Sequence, residues 1–294
     1  MYERILVPLD GSPVAEAVLP LVRSLAEAAG ASVTLLHVIE SVPPDRDLLA
    51  QLEARAAAYL RPWESRLAAA GIAAQVHVAA GRVAAQVLQV AQEGKHDLIA
   101  LGTGGERALG GFYFGSTAWQ VLHRAAVPVL LVRPPAAHPG PEGGPRIRRV
   151  LVPLDGSTTA EAVLPFAERL AAAFHADLYL VRVVSTVPVV FADPGVGPYL
   201  AGFQEDLMQE AQGYLDGVVQ RLGARPFKVS SVVLAGPVAA QIVDFARRLE
   251  DSLVAMTTHG RTGMAGLVLG SVAAQVVQHS GDPVLLVRPG PGPR

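Results

Sequence analysis

Three glycines and a serine stand at a spacing that suits the binding of a phosphate group. Gly102, Gly105 and Gly115, followed by Ser116, form the pattern G-x2-G-x9-G-S. Glycine lets the backbone approach a ligand, and Gly115-Ser116 opens a predicted helix whose first N–H groups can hold an anion. Asp10, in an Asp-Gly-Ser turn before a predicted helix, is an acceptor for an adenine or ribose donor, and it also suits a local turn cap. These residues predict a nucleotide site.

The second half of the chain repeats the first. Leu6–Pro20 reads LVPLDGSPVAEAVLP and Leu151–Pro165 reads LVPLDGSTTAEAVLP, an offset of 145 residues. Further along the chain the offset is 155, and we assign the ten extra residues to the turn-forming segment Val187–Leu200. The repeat fits either a duplication without functional consequence or two equivalent sites.

Length and repeat together predict the domain boundaries. A chain of 294 residues is about twice the commonest domain size. The segment around residues 134–146 is rich in proline and glycine, which suits an extended linker. We expect a first domain over residues 1–134, a linker over 135–146 and a second domain over 147–294.

Each repeat alternates predicted strands and helices. In the first repeat the strands are Arg4–Asp10, Ser32–Ile39, Ala74–Val78, Asp97–Leu101 and Val129–Val132, and the helices are Val14–Ala29, Leu48–Ala70, Ala84–Glu93 and Ser116–Ala125. Strands that are nearly continuous runs of Val, Ile and Leu predict an α/β fold, with a parallel sheet covered on both faces. Such sheets bind ligands at the carboxyl ends of their strands, beside the topological switch point. The site should therefore follow the first and fourth strands.

Composition excludes several classes of protein. The net charge of −2 argues against nucleic-acid binding, and the absence of cysteine excludes disulfides, zinc ribbons and thiol catalysis. The longest uncharged run, Thr262–Gly281, is too polar for a membrane helix. The first residues, MYERILVPLDG, do not resemble a secretory signal, so we expect a cytoplasmic protein without a membrane partner.

Common catalytic and nucleotide motifs are missing. The only Gly-Lys pair is followed by His96, so there is no Walker A sequence, and neither H-E-x-x-H nor G-x-S-x-G occurs. The sequence GTGGER has Arg107 where a dinucleotide fingerprint needs its third glycine. His259 lies in the motif loop of the second repeat, and we expect it to face solvent rather than to act in catalysis.

The whole pattern resembles a tandem universal stress protein. The resemblance rests on ILVPLDGS and VLVPLDGS, on LLHVIE and LVRVVS, on AGRVAAQVLQVAQ and AGPVAAQIVDFAR, and on the glycine motif followed by PVLLVRP. These pieces occur in the same order twice and cover nearly all of both halves. The resemblance implies two Rossmann-like domains of the adenine nucleotide alpha hydrolase type, each with a five-stranded parallel sheet flanked by helices.

The resemblance also implies which residues would bind ATP or another adenine nucleotide such as AMP or ADP. In the first repeat they are Pro8, Leu9, Asp10 and Val38 at the base, Leu101, Gly102 and Gly105 at the ribose and phosphates, and Gly115, Ser116 and Thr117 at the phosphates. In the second repeat, where binding is expected to be weaker, they are Pro153, Leu154, Asp155, Val183, Met256, Thr257, Gly260, Gly270, Ser271 and Val272.

The two repeats depart from the family pattern in different ways. Thr257 stands where the first repeat has Gly102. A β-branched residue would be costly there if the position needs a positive φ, and its side chain could fill the ribose space. In the first repeat Glu106 would repel a triphosphate, whereas Arg107 would attract it if it turns inward.

Three functions remain open from the sequence. The leading hypothesis is a stress-response protein in which nucleotide occupancy, rather than turnover, controls conformation or partner choice, since no general base is evident. The alternatives are a slow ATPase, with Mg²⁺ held mainly through the phosphates, and a nucleotide-free scaffold for protein contacts. The apolar final strands, Val129–Val132 and Val284–Val287, are expected to pair as an internal pseudo-dimer, and two chains could associate further as a homodimer.

Overall fold

The computed structural model describes residues 2–103, 115–134, 146–185, 197–260 and 269–289, with side chains described from residue 202 onward in the helix that begins at 197. The chain divides into two compact units. The first unit comprises Met1–Arg146 and Gly281–Arg288, and the second comprises Ile147–Ser280 and Pro289–Arg294. All but the last residue of the predicted linker over 135–146 lies outside the described residues. The predicted boundaries therefore stay a prediction.

The first repeat follows the predicted alternation of strands and helices. Its elements are β1 (Arg4–Pro8), α1 (Pro13–Glu16), α2 (Leu19–Ala29), β2 (Ser32–Ile39), α3 (Arg46–Ala69), β3 (Ala74–Ala80), α4 (Val83–Glu93), β4 (Leu98–Gly102), α5 (Ser116–Arg124) and β5 (Val129–Val132).

The second repeat has the same order of elements. They are β6 (Arg149–Pro153), α6 (Thr158–Glu161), α7 (Leu164–Phe174), β7 (Asp177–Val184), α8 (Gly197–Leu222), β8 (Val229–Ala235), α9 (Val238–Arg248), β9 (Ser252–Thr257), α10 (Ser271–His279) and β10 (Val284–Val287). Among the helices that the structure describes, none is long and apolar enough to cross a membrane.

The single helix predicted over Val14–Ala29 is wrong, because two helices, α1 and α2, occupy this segment. Pro20 stands in the first turn of α2. Proline has no N–H to donate to the preceding turn but is well accommodated at the start of a helix, so one helix ends and another begins. The second repeat has the same break, with Pro165 in the first turn of α7. Gly30 ends α2 in the left-handed conformation, at φ 65°.

Both units contain a parallel sheet with a switch in strand order. In the first unit the order is β3-β2-β1-β4-β5, and in the second it is β8-β7-β6-β9, with all of these neighbours parallel. The chain reverses its direction of travel across the sheet at the β1/β4 and β6/β9 pairs. The inner strands are buried on both faces, as their apolar runs predict.

The last strand of the second repeat belongs to the first unit. β10 pairs antiparallel with β5, with Val284 opposite Leu131 and Leu286 opposite Val129. Both strands are buried along their whole length. This pairing covers an apolar strand that would otherwise be an open edge of the sheet.

Candidate functional site

An Asp-Gly-Ser turn follows the first strand of each repeat. In the second repeat, one oxygen of Asp155, Oδ1, accepts hydrogen bonds from the Ser157 backbone N–H at 2.9 Å and from its hydroxyl at 2.6 Å. Gly156 has φ +90°, a conformation that glycine adopts without a steric cost. The Ser157 hydroxyl in turn accepts from the N–H of Ala160 at 3.1 Å and caps α6. The turn thus fixes the Asp155 carboxylate beside the end of β6.

The first repeat builds the same turn from Asp10, Gly11 and Ser12. Asp10 Oδ1 accepts from the Ser12 N–H at 2.9 Å, Gly11 has φ +87°, and the Ser12 hydroxyl caps α1. Asp10 therefore closes a local turn through one carboxylate oxygen, and the residue that caps the helix is Ser12.

The glycines of the second motif bring three chain segments together. A Cβ on Gly260 would overlap Oδ2 of Asp155, so a side chain at this position would force the carboxylate to move. Gly270 donates its N–H to the Thr258 carbonyl at 2.8 Å, and a Cβ there would lie 3.2 Å from that same oxygen. The start of α10 is thereby held against the end of β9.

These segments enclose a cavity of about 560 Å³ in the second unit. Every predicted position of the second repeat lines it, from the ends of β6, β7 and β9 and the start of α10. These positions are Pro153, Leu154, Asp155, Val183, Met256, Thr257, Gly260, Gly270, Ser271 and Val272. The structure therefore gathers all of these residues at the switch point of one sheet.

The cavity also has lining residues that the sequence reasoning missed. Val238 and Ile242 contribute the apolar face of α9, and Leu207 comes from α8. Their signal was helical spacing of apolar residues, which also fits ordinary core packing. The missed polar residues are Arg182 on β7, Ser185 just after it and Thr258 just after β9.

His259 is half-buried and lines the cavity, so the expectation that it faces solvent is wrong. Its Nδ1 lies 3.1 Å from the Thr258 hydroxyl, and its carbonyl accepts a hydrogen bond from the Thr257 hydroxyl at 2.6 Å. The contacts with Thr257 and Thr258 hold His259 at the end of β9. Within the described ranges, no group of three or more His, Asp or Glu side chains is placed to bind a metal ion.

Gly102 and Thr257 occupy equivalent strand ends for different steric reasons. Neither has a positive φ, so the backbone penalty considered for threonine at this position does not arise. A Cβ on Gly102 would overlap the carbonyl oxygen of Val14 and lie 2.9 Å from Cα of Ala15, because the backbone of α1 packs directly on β4. Thr257 is buried in the second unit with its hydroxyl bonded to the loop. Whether it takes ribose space stays a prediction.

The described site residues of the first repeat lie at the ends of their predicted elements. Pro8, Leu9 and Asp10 end or follow β1, Val38 is in β2, Leu101 and Gly102 end β4, and Gly115, Ser116 and Thr117 begin α5. The N–H of Leu9 donates to the Leu36 carbonyl at 2.8 Å, as that of Leu154 does to Val181 at 2.7 Å. These two N–H groups are therefore bonded within their sheets. Gly105, Glu106 and Arg107 lie outside the described residues.

A tyrosine–glutamate pair recurs beside both turns. Tyr59 donates to Glu16 and Tyr214 to Glu161, each at 2.8 Å. Burial and the neighbouring carboxylate raise the pKa of both phenols well above the usual value. Each pair joins the long helix of its repeat to the short helix after the aspartate turn. Comparison of the two repeats, which match at both positions, could have found it.

The fold and the site together define a tandem doubly wound α/β protein with its cavity at the switch point. The model of the universal stress protein family matches residues 1–133 and 146–288, one match for each repeat. The chain therefore belongs to the universal stress protein family.

Individual relatives agree with this assignment. A universal stress protein of Mycolicibacterium smegmatis is 28% identical over 299 residues, which cover 97% of each chain. One from Methanocaldococcus jannaschii is 32% identical over 141 residues, 48% of this chain and 82% of the relative. The crystal structure of a universal stress protein from Archaeoglobus fulgidus matches with a TM-score of 0.73 over 99% of this chain and 100% of that one, at 21% identity. This last likeness concerns the fold.

Proposed function

We propose that this universal stress protein binds an adenine nucleotide, such as ATP, in the cavity of its second repeat. The observation that carries the proposal is that all ten positions predicted from the sequence of this repeat line one cavity. Its volume of about 560 Å³ is within the usual range for small-molecule sites. The first repeat, with the full glycine motif, is proposed as a second site of the same kind.

The chemistry of the lining supports this class of ligand. Val238, Ile242 and Leu207 offer an apolar surface for a base. Asp155 lines the cavity and supplies a carboxylate, the kind of acceptor that suits a ribose hydroxyl. Gly270 and Ser271 begin a nine-residue helix, whose first N–H groups and positive dipole end favour phosphate. Mg²⁺ enters the proposal only as an ion held through the phosphates.

We propose further that occupancy rather than fast turnover is the function. Asp10 and Asp155 each accept a hydrogen bond from their own turn through Oδ1. This bond orients the carboxylate as a binding group and does not favour its use as a general base that activates water. Action in the stress response, a cytoplasmic location and a homodimer stay predictions.

Calorimetric titration of the full chain with ATP, ADP and AMP tests binding. In Gly260→Ala the new methyl group would displace the Asp155 carboxylate, so we expect affinity at the second-repeat site to fall at least about tenfold. The matched control is Gly213→Ala, on an exposed face of α8 where an added Cβ meets nothing within 4 Å. Neither heat nor a thermal shift at millimolar ATP would end the nucleotide proposal and leave the scaffold hypothesis.

Single-turnover measurements with labelled ATP separate binding from slow hydrolysis. Appreciable turnover that Gly115→Val abolishes would contradict the binding-only function and establish a slow ATPase.

A further inference from the structure

Arg182 places a cation in the cavity of the second repeat, at a position where the first repeat has His37. It lies near the carboxyl end of β7 and lines the cavity. Its side chain is only 14% exposed. The equivalent residue of the first repeat is His37, whose Nδ1 lies 2.9 Å from the Leu9 carbonyl. The histidine is thus engaged with its own backbone turn.

The protein itself compensates the Arg182 charge weakly. Among the described residues its hydrogen-bond acceptor is Glu210, at 3.4 Å, and that carboxylate is 68% exposed. The guanidinium carbon lies 5.1 Å from the centre of the Tyr214 ring, which holds the planar group by a cation–π contact. A guanidinium has five N–H donors. One long bond to an exposed carboxylate leaves most of them for another acceptor.

The position of the guanidinium narrows the chemistry of that acceptor. A Cβ on Gly156 would lie 3.4 Å from Nη1 of Arg182, so the cation stands against the turn that carries Asp155. In the proposed function Asp155 meets the ribose. In α/β nucleotide sites an acidic side chain serves free ribose hydroxyls, and an arginine nearby accommodates a ribose phosphate. A phosphate also matches the fork of donors on arginine.

We propose that Arg182 makes the second-repeat cavity selective for nucleotides that carry an additional phosphate on the ribose, at the 2′ or 3′ position. This inference rests on the proposed nucleotide site and specifies its ligand class. The first repeat, with His37 at this position, takes nucleotides without that phosphate.

Calorimetric titration of the full chain with AMP, adenosine 3′,5′-bisphosphate and adenosine 2′,5′-bisphosphate tests the inference. At one site, wild-type protein should bind one of the bisphosphates at least about tenfold more tightly than AMP, the size expected of a charge-assisted contact. Arg182→His, which installs the residue of the first repeat, should remove this preference and leave AMP affinity within about twofold. Arg182→Lys keeps the charge without the fork and should retain part of the preference.

Glu210→Gln is the matched control, since it removes the partner of the guanidinium but not the guanidinium itself. It should keep or strengthen the bisphosphate preference. Thermal unfolding of each variant checks that the fold persists, and Arg182→Lys keeps the test decisive if Arg182→His fails to fold.

Different results separate the two proposals. Equal binding of AMP and both bisphosphates by the wild type would overturn the selectivity and leave the nucleotide site intact. An equal loss of affinity for all three ligands in Arg182→His would make Arg182 a purely structural residue and would also overturn it. Failure of every nucleotide to bind would overturn the proposed function, and this inference with it.

Discussion

Replacing Gly102 by alanine tests a close backbone approach at a motif glycine of the first repeat that the structure describes. The added methyl group would overlap the Val14 carbonyl oxygen and lie 2.9 Å from Cα of Ala15. Both neighbours are backbone atoms of α1, so no side chain can rotate aside, and α1 has to move away from β4. Overpacking of this kind costs up to about 3 kcal/mol. Alanine recovers up to about 1 kcal/mol of the conformational cost of glycine in a strand. The net expectation is a loss of about 2 kcal/mol.

Tryptophan fluorescence during urea unfolding reports on the first unit alone. The two tryptophans of the chain, Trp63 and Trp119, both lie in the first repeat. With a urea dependence of about 2 kcal/mol per molar, the midpoint for Gly102→Ala should fall by about 1 M. The matched control is Gly115→Ser in the same motif. A Cβ at Gly115 meets nothing within 4 Å among the described residues, its φ is −60°, and serine is a preferred residue at the start of a helix.

The control should therefore unfold within about 0.3 M of the wild type. If Gly102→Ala and Gly115→Ser share the wild-type midpoint, α1 does not pack on the end of β4 as described. The steric explanation for glycine at position 102 would then fail, and a side chain such as that of Thr257 would be tolerated there.

Three further predictions concern stability. Burial lowers the pKa of His96 below the usual value of about 6.5, so the unfolded chain binds this proton more readily than the folded one, and the stability that neutral His96 contributes is complete above about pH 6.5 and is lost as the pH falls. His96→Gln should therefore flatten the decline of the tryptophan-detected urea midpoint between about pH 7 and 5, and an unchanged dependence of the midpoint on pH would refute this. Tyr214→Phe removes the bond to Glu161 and should destabilise the second unit by about 1 kcal/mol in calorimetric unfolding; an increase in stability would contradict it. Deleting residues 281–294 removes β10 and should expose β5 and cause aggregation in light scattering, whereas deleting only 290–294 should not; equal solubility of the two truncations would argue against the pairing.

The regular elements were largely predictable because their signals are local. The strand bounds Ser32–Ile39 and Val129–Val132 agree with the structure residue for residue. Gly30 and Glu40 flank the first apolar run, and Pro128 and Arg133 flank the second. The break between α1 and α2 was missed because Val14–Ala29 has continuous helical spacing. Pro20 marked the break, because proline is favoured in the first turn of a helix and disfavoured in its middle. The continuous apolar spacing did not show that a new helix begins there.

The candidate site was predictable to the extent that its residues repeat. Asp155, Gly260 and Gly270 match Asp10, Gly105 and Gly115, and the second-repeat members all reach one cavity. Arg182 was missed because it differs from His37, and a comparison of the repeats that seeks matches passes over such a position. Its importance depends on distances to Tyr214 and to the Asp155 turn, which no local pattern encodes.

By itself the sequence determined the family, through the resemblance of its motifs and the match to the family model. It also determined the duplication and the strand ends at which a ligand site must lie, since these follow from the repeat and from the geometry of parallel sheets. Only the tertiary structure decided why Gly102 is a glycine, that His259 turns into a cavity, and that β10 pairs with β5. Each of these features depends on contacts that only the folded chain makes, such as the fit of one methyl group or the pairing of one strand edge. Local sequence propensity does not encode such contacts.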